Sequence, residues 1–557
     1  MTTYTNIAES LTKTARNMPY KRAVVYPAGR TRDNHVLYSH LTFKQLDLLS
    51  DRLGAGLENI GIVRGTRTIL MVPPGMEFFI IVFAMFKVGA VPVVVDPGMG
   101  IDRMVQCLHQ GRPKAFIGIE KAHILRLVKP GYFKQIQHWV TVGRKWFWGG
   151  HTFRQLMCRE PGPFTPARTT RDETAAIVFT TGSTGPAKGV VYTHGNFDAQ
   201  IRQIQAHFKI QPDEIDLPTF PLFALFDPAL GMTAVIPDMD PTRPARANPD
   251  KIIEAIENHG VTNMFASPAL LNRVGKYGNE HDITLPSLRR VVSAGAPVSP
   301  ANIEQFSALL SKDALIHTPY GATEAVPVIS IASDEILTET RQLTEKGFGL
   351  CIGRPICDTN VCLIKITDTP ITQIRESLLV SEKQVGEIAV KADLVTEHYF
   401  NNREADLQAK IPDSDGRIWH RMGDLGWMDS KGRIWFCGRK SHRVVTENGT
   451  LFTIPVESIF NNHPAVYRSA LTGVGPLGSQ IPVIFVEPSE RIDNPKTLIA
   501  ELAALAEANP LTEEIHHIFI EKNFPVDIRH NAKIFREKLA VKAAARLKMS
   551  AQSGSMS

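Results

Sequence analysis

The stretch AAIVFTTGSTGPAKGVVYTHGN, residues 175–196, opens as a short β-branched strand. It runs into a loop of small and hydroxyl residues, Thr180, Thr181, Gly182, Ser183, Thr184 and Gly185, followed by Pro186, Ala187, Lys188 and Gly189. Glycine lacks the Cβ that would keep a backbone N–H away from an anion, the hydroxyls add donors, and Lys188 adds a point charge. Those residue types in that order have the chemistry of a triphosphate cradle. The spacing is not that of a Walker A loop, because glycine follows Lys188 and no Ser or Thr stands there for magnesium. A plain flexible Gly/Ser turn is the alternative, and the strand context and the lysine both weigh against it.

Working outward, the flanks alternate between β and α patterns. TILMV (Thr68 to Val72) reads as a buried strand closed by Pro73, Pro74 and Gly75, Met76 to Lys87 as a helix, and VPVVVDPG (Val91 to Gly98) as a second strand ending in a turn. That is a βαβ unit, which requires parallel strands. Similar units recur to about residue 330 and predict a large α/β body. Beyond residue 350 the texture changes to short strands and turns, with Asp429 to Gly432 as a hairpin turn, which predicts a β-barrel-like part. The last block holds a strand (IPVIFVEP), an amphipathic helix (TLIAELAALAEAN) and a basic helix ending near Met549, with a frayed tail after it. The fold class expected is α/β, with a small α+β unit at the C-terminal end.

Composition narrows the class. At 557 residues the chain has room for about three to four structural units. A 43% hydrophobic share excludes wholesale disorder, and a net charge of +6 over this length is too weak to argue for nucleic acid. The six cysteines form no Cys-x-x-Cys pair, so a disulfide scaffold and a zinc ribbon are not expected and a reducing cytoplasm is. The N-terminal residues lack the layout of a signal peptide, and the strongest apolar run, Phe78 to Phe86, is well short of the ~20 residues of a membrane span.

One stretch stands out in charge. Residues 121–159 hold Lys121, Arg126, Lys129, Lys134, Arg144, Lys145, Arg154 and Arg159, and no acid, together with Trp139, Trp146, Phe147 and Trp148. It reads either as a solvated face with its aromatics in the core, or as a docking patch for an acidic partner protein or a membrane surface.

The loop at 180–189 resembles the signature of the adenylate-forming superfamily, the acyl-CoA synthetases, peptide-synthetase adenylation domains and luciferases. The other motifs follow in that family's order along almost the whole chain. Ser293 to Pro297 resembles the segment lining adenine, through Gly295, Ala296 and Pro297. His317 to Glu324 (HTPYGATE) resembles the YGxTE motif. The resemblance implies that Tyr320 and Gly321 contact adenine, that Thr323 bonds the α-phosphate and that Glu324 holds magnesium, the metal expected with ATP. Gly386-Glu387-Ile388 matches a structural motif, a matter of packing more than chemistry. Arg421 to Asp424 resembles the segment whose aspartate accepts both ribose hydroxyls, and Gly438 to His442 resembles the hinge motif, in which Arg439 also reaches the ribose. Many relatives carry Asp or Lys at the pivot, where this chain has His442. Arg529 to Lys533 lies where the family carries its adenylation lysine, so Lys533 is expected to neutralise charge in the transition state, with Lys538 and Lys522 as lesser candidates. The same resemblance divides the chain into an AMP-binding body, residues 1–440, and a mobile lid, residues 441–557, hinged near His442.

The acid site is read from Phe220 to Gly231. Phe220, Phe223 and Phe226 with Ala224, together with Met264 to Pro268, suggest a long apolar channel. Core phenylalanines are the alternative for any one of them. The strings at Ala409–Val444, Val140–Gly150 and Ile528–Ile534 are similar to the olefin-biosynthesis β-lactone synthetases. That likeness implies that a long-chain 2-alkyl-3-hydroxy acid is adenylated and closed on itself, with AMP and pyrophosphate released. It also raises the expectation of protein partners in a hydrocarbon-biosynthesis assembly, through the basic 121–159 stretch. By residue type alone, His420, His442 and His194 are candidates for the base at the 3-hydroxyl. The alternative is a long-chain fatty acyl-CoA ligase. Against it, Gly449 to Pro455 is one residue longer than the usual Gly-x-x-Ile-x-Pro spacing. A non-catalytic scaffold would tolerate loss of Glu324, Asp424 or Lys533, and all three are present.

Overall fold

The computed structural model of the protein describes residues 4–157, 164–180, 187–220, 223–526 and 534–554. Two sheets carry the body. The first has seven strands in the order His151–Thr152, His138–Val142, Ala115–Ile119, Arg67–Met71, Val91–Val95, Thr174–Thr180 and Lys188–Thr193. Neighbours run parallel except for the last pair. The expected βαβ unit forms its centre, with helix Met76–Val88 between two parallel strands. That helix is apolar on all sides because it is buried on all sides. It stops at Gly89, whose φ of +74° suits a left-handed cap. Lys87, the end of the apolar run in the sequence, is itself buried and lies 2.7 Å from Asp47 and 2.6 Å from Asp51. Among the described residues no helix is long and apolar enough to cross a membrane.

The second sheet joins two textures. Arg22–Arg30, Thr233–Val235, Ile215–Pro218, Asn263–Ala266, Arg290–Ser293 and Leu315–Ala322 are parallel neighbours. From there the ladder turns antiparallel through Ala325–Ala332, Leu350–Pro355, Ile434–Arg439, Ile418–Met428, Gly386–Lys391 and Asn360–Ile364. The short-strand part expected to be barrel-like is thus a continuation of the α/β sheet. Among the described residues no ladder brings Asn360–Ile364 back to Leu350–Pro355. The hairpin turn at Asp429 forms as expected, its Oδ1 accepting from the backbone N–H of Lys431 and Arg433 at 2.9 Å each. In an open α/β sheet the carboxyl ends of parallel strands leave a ligand crevice where the strand order switches. Here that crevice lies past Ser293 and Ala322.

The last block is α+β. Val466–Val474, Ile481–Pro488 and His517–Ile520 form a sheet, with helices Thr453–Asn461, Pro495–Glu507 and Arg536–Gly554. It has its own core of Phe460, Leu471, Ile484, Leu498 and Leu502. The final helix continues to Gly554, past the expected end near Met549. Ala551 and Gln552 are good helix formers, so nothing in the tail stops the hydrogen-bond ladder before the glycine.

Candidate active site

Seven of the residues singled out for a nucleotide, Gly295, Ala296, Pro297, Tyr320, Gly321, Asp424 and Arg439, line one cavity of about 1170 Å³. Gly295, Ala296 and Pro297 leave the strand Arg290–Ser293, with Gly295 at φ +95°. Tyr320 and Gly321 lie near the end of Leu315–Ala322, and His442 ends the short turn Lys440–His442. Asp424 and Arg439 are cross-strand partners. Gly438, at φ +123°, lets this strand lie against the next helix, because a Cβ there would collide with Thr453 Oγ1. Tyr467, Arg468, Ile534 and Arg536 of the last block face the same cavity.

Tyr320 donates its hydroxyl to Asp424 Oδ2 at 2.5 Å, and Arg439 Nε stands 3.1 Å from Oδ1. Oδ1 is buried and has no aligned hydrogen-bond donor among the described residues. Burial raises the Asp424 carboxyl above its ordinary range, against the pull of Arg439. Burial likewise holds the Tyr320 phenol well above its usual value, so it keeps its proton and remains a donor. An under-used carboxylate oxygen beside an aromatic face fits a ribose diol below a purine.

Thr323 and Glu324 form the turn into Ala325–Ala332. Two tyrosines hold that turn from outside. Tyr192 donates its hydroxyl to the Thr323 carbonyl, and Tyr399 donates to Glu324 Oε1 at 2.7 Å. Thr396 donates its N–H (2.9 Å) and its hydroxyl (3.1 Å) to the Glu324 carbonyl. Lys188 Nζ lies 5.0 Å from the Tyr399 ring centre and Lys410 Nζ 5.5 Å from it. Lys410 is buried, donates to Thr396, and is lowered to about 8 by that burial, despite Glu324 nearby. Tyr192, Tyr399, Thr396 and Lys410 were not legible as site residues. Tyr399 reaches the site through one isolated bridge to Val190, a pairing that no local pattern announces.

Among the described residues no group of three or more His, Cys, Asp or Glu could hold a metal. Glu324 beside Lys188 nevertheless fits magnesium as ATP brings it, since that ion takes one or two carboxylates and keeps phosphate and water oxygens for the rest. Thr180 ends its strand; Thr181, Gly182, Ser183, Thr184, Gly185 and Lys533 lie outside the described residues.

A second cavity, about 1370 Å³, is lined by Lys188, Thr323, Glu324 and Arg439 and, for the larger part, by apolar residues. Phe220, Phe223 and Phe226 line it, with Phe223 stacked on Phe265 at 4.3 Å between ring centres. Ala224 departs from expectation. It points into the main core, because the 3₁₀ turn Phe223–Leu225 puts residues three apart on one face, so Phe220, Phe223 and Phe226 share the cavity side and Ala224 does not. Strand alternation does the same at Asn263–Ala266, where Phe265 faces the cavity while Met264 and Ala266 are core.

The three histidines separate. His194 Nδ1 accepts from the Ile7 N–H at 3.2 Å and its ring meets Phe86 edge-on, so it is a core residue. His442 lines the first cavity. His420 lines the second; it is buried with Nδ1 unpartnered, and burial, then Lys410, holds it well below its usual range. Glu387, of the motif read as packing, forms buried ion pairs with Arg421 at 2.6 Å and Lys440 at 3.2 Å. This ties two strands to the turn that ends in His442.

Residues 11–400 match the family model of AMP-binding enzymes. The chain is 46% identical over 550 residues to an olefin beta-lactone synthetase of Stenotrophomonas maltophilia, covering 97% of this chain and 98% of that one. In structure it is similar to an anthranilate CoA ligase in complex with anthranoyl-AMP, with a TM-score of 0.79, 19% identity and 98% of both chains covered. It is also similar to the O-succinylbenzoate coenzyme A synthetase of Bacillus subtilis in complex with ATP and magnesium ion, with a TM-score of 0.73, 20% identity, and 95% of this chain and 98% of that one covered. The two structural likenesses bear on the fold alone.

Proposed function

The chain belongs to the AMP-binding enzymes, and from its near full-length likeness to an olefin beta-lactone synthetase we propose that it is one, acting on a long-chain 2-alkyl-3-hydroxy acid. The observation that carries the acid class is the second cavity, whose lining joins Lys188, Thr323 and Glu324 with Phe220, Phe223 and Phe226. A carboxylate held at the polar end would have its alkyl chains in an apolar channel.

In the first half-reaction a carboxylate oxygen attacks the α-phosphorus of ATP and pyrophosphate leaves. Tyr320 packs the base, Asp424 and Arg439 hold the ribose, and Thr323 bonds the α-phosphate. Lys188 and the 180–185 loop bind the remaining phosphates, and Lys533 neutralises charge as the new bond forms. Glu324 would hold the magnesium that comes with ATP, and that ion would neutralise further phosphate charge. In the second half-reaction the substrate's own 3-hydroxyl oxygen attacks the acyl carbonyl, the C–O bond to phosphate breaks, and AMP leaves with the β-lactone formed. Nucleophile and electrophile are in one molecule, so alignment in the channel replaces capture of a second substrate. We assign the hydroxyl proton to His420, a reading supported by its combining, alone of the three, an unpartnered nitrogen with a place on the channel wall.

Residues 441–557 act in this reading as a lid that pivots at His442 and brings Lys533 to the α-phosphate. Small-angle scattering that does not change on binding a non-reactive acyl-adenylate analogue would remove the lid. The decisive experiment for function supplies ATP, Mg²⁺ and a long-chain 2-alkyl-3-hydroxy acid without coenzyme A. The expected product is the acid less one water. A thioester as main product once coenzyme A is added would instead assign an acyl-CoA ligase.

A further inference from the structure

The basic stretch at 121–159 is folded in a way that the reaction does not use. Helix Glu120–Val128 turns Ala122 and His123 inward and leaves Ile124, Leu127 and Val128 in solvent, Leu127 at 49% and Val128 at 62% exposure. The loop beside it projects Trp146 (51% exposed) and Phe147 (79%), while Trp148 is buried. This loop is braced from below. His123 stacks on Trp148 at 5.4 Å, Trp146 packs on Trp148 at 5.2 Å, and the Arg126 guanidinium lies 4.4 Å from the Trp139 ring centre and 5.7 Å from that of Trp148. The protruding aromatics are therefore held in place, and their exposure is a fixed feature of the surface.

Charge surrounds the patch. Lys121, Lys134 and Arg144 are exposed. Lys129 is paired with Asp102, and Lys145 donates to the Gly150 carbonyl. The acid nearest in sequence, Glu120, is occupied by the Arg144 backbone N–H at 2.6 Å. Arg159 lies outside the described residues. The same helix also lines the second cavity, through Lys121, Ala122 and Leu125. One element thus turns Ile124, Leu127 and Val128 to solvent and Ala122 and Leu125 to the channel, with the exposed Lys121 on the rim between them.

We infer that this face is a docking surface for an anionic lipid bilayer, with Trp146, Phe147, Leu127 and Val128 entering the interface and the cations meeting lipid phosphates. Apolar and aromatic residues ringed by Lys and Arg are the composition that lies in a membrane interface. An acid with two long alkyl chains partitions into such a bilayer, so docking would set the channel wall against the substrate's reservoir. That purpose rests on the function proposed above, but the docking itself does not, and it is tested without substrate.

The full chain would be sedimented with phosphatidylcholine vesicles and with vesicles containing about a third phosphatidylglycerol. Binding to the second and much weaker binding to the first is expected, at about fivefold in affinity for each cation near the surface. Lys134→Ala with Arg144→Ala should lose that margin, and Trp146→Ala with Phe147→Ala should release the protein from anionic vesicles. Both variants should retain the wild-type circular-dichroism spectrum and melting temperature, which shows that they are folded. No sedimentation with either vesicle, or sedimentation that neither variant weakens, overturns the inference and leaves the patch to a protein partner.

Discussion

Asp424→Asn tests the nucleotide geometry most directly. Asn has the size of Asp and keeps an oxygen for the Tyr320 hydroxyl, which now lies 2.5 Å from Oδ2. What it loses is the negative charge that meets Arg439 at 3.1 Å, and Oδ1 as an acceptor for a ribose hydroxyl. A hydrogen bond to a charged group contributes about 1.5–3 kcal/mol. At 1.4 kcal/mol per tenfold, losing one such bond should lower kcat/KM for ATP by about 10- to 150-fold. A general loss would not identify the ribose, because Asn also leaves the Arg439 cation without its partner. The comparison that does is 2′-deoxy-ATP. Wild type should lose about tenfold or more when the 2′-hydroxyl is removed, whereas the variant, already without the charged acceptor, should lose little. Pyrophosphate release measured for both nucleotides with both proteins closes the cycle. Equal penalties for the missing hydroxyl in wild type and variant would refute the assignment of Asp424 to the ribose.

Four further outcomes are expected. Tyr399→Phe removes the donor to Glu324 Oε1 but keeps the ring between Lys188 and Lys410. The Mg²⁺ concentration for half-maximal adenylation should rise by about tenfold or more, and an unchanged Mg²⁺ titration would show that the tyrosine does not position Glu324. His420→Gln should leave ATP–pyrophosphate exchange near wild type while lactone formation falls by about tenfold or more; equal loss of both would make His420 a structural residue. Lys533→Ala should cost adenylation about 10²-fold, and wild-type AMP release from it under saturating acid would reject its role. His194 is lowered by burial from 6.5 to about 4, so between those values the unfolded chain binds a proton that the folded chain does not. Its contribution is present above pH 6.5 and is lost as pH falls toward 4; urea melts of His194→Gln across that window should show a shallower decline than wild type, and parallel declines would sink the claim.

What was legible in the sequence had a local cause. The βαβ unit around Met76–Val88, the hairpin at Asp429 and the loop before Lys188 each follow from residue types a few positions apart. The Asp424–Arg439 pair was legible only as two motifs, and the antiparallel register that sets them opposite each other belongs to the fold. Burial direction was the other gap. Ala224 and Met264 were grouped with the channel, yet a 3₁₀ turn at the first and strand alternation at the second each turn that side chain away from the face of its phenylalanine neighbour. The tyrosines that hold Thr323 and Glu324 illustrate the limit most clearly. Tyr399 lies 75 positions from Glu324 in the chain, in a segment without motif, and only strand pairing brings its hydroxyl to the carboxylate.

The segment from Gly449 to Pro455 shows why spacing alone could not settle the acceptor. Its extra residue suggested an altered path beside the hinge, but the helix that follows is firmly placed. Thr453 lies against Gly438, and Pro455 occupies the first turn, where a missing N–H costs no helical bond. Glu457 is buried, 2.7 Å from Arg536, and accepts from the Leu471 N–H at 2.9 Å. Between Gly449 and that helix stand Thr450, Leu451 and Phe452, of which Thr450 and Leu451 pair with Val445 and Val444. This lead-in can take one more residue at small entropic cost, whereas a helix pinned by burial cannot shift by one without breaking its ion pair. The spacing therefore does not choose between thiol and hydroxyl, and that choice rests on what the channel holds next to the acyl carbonyl.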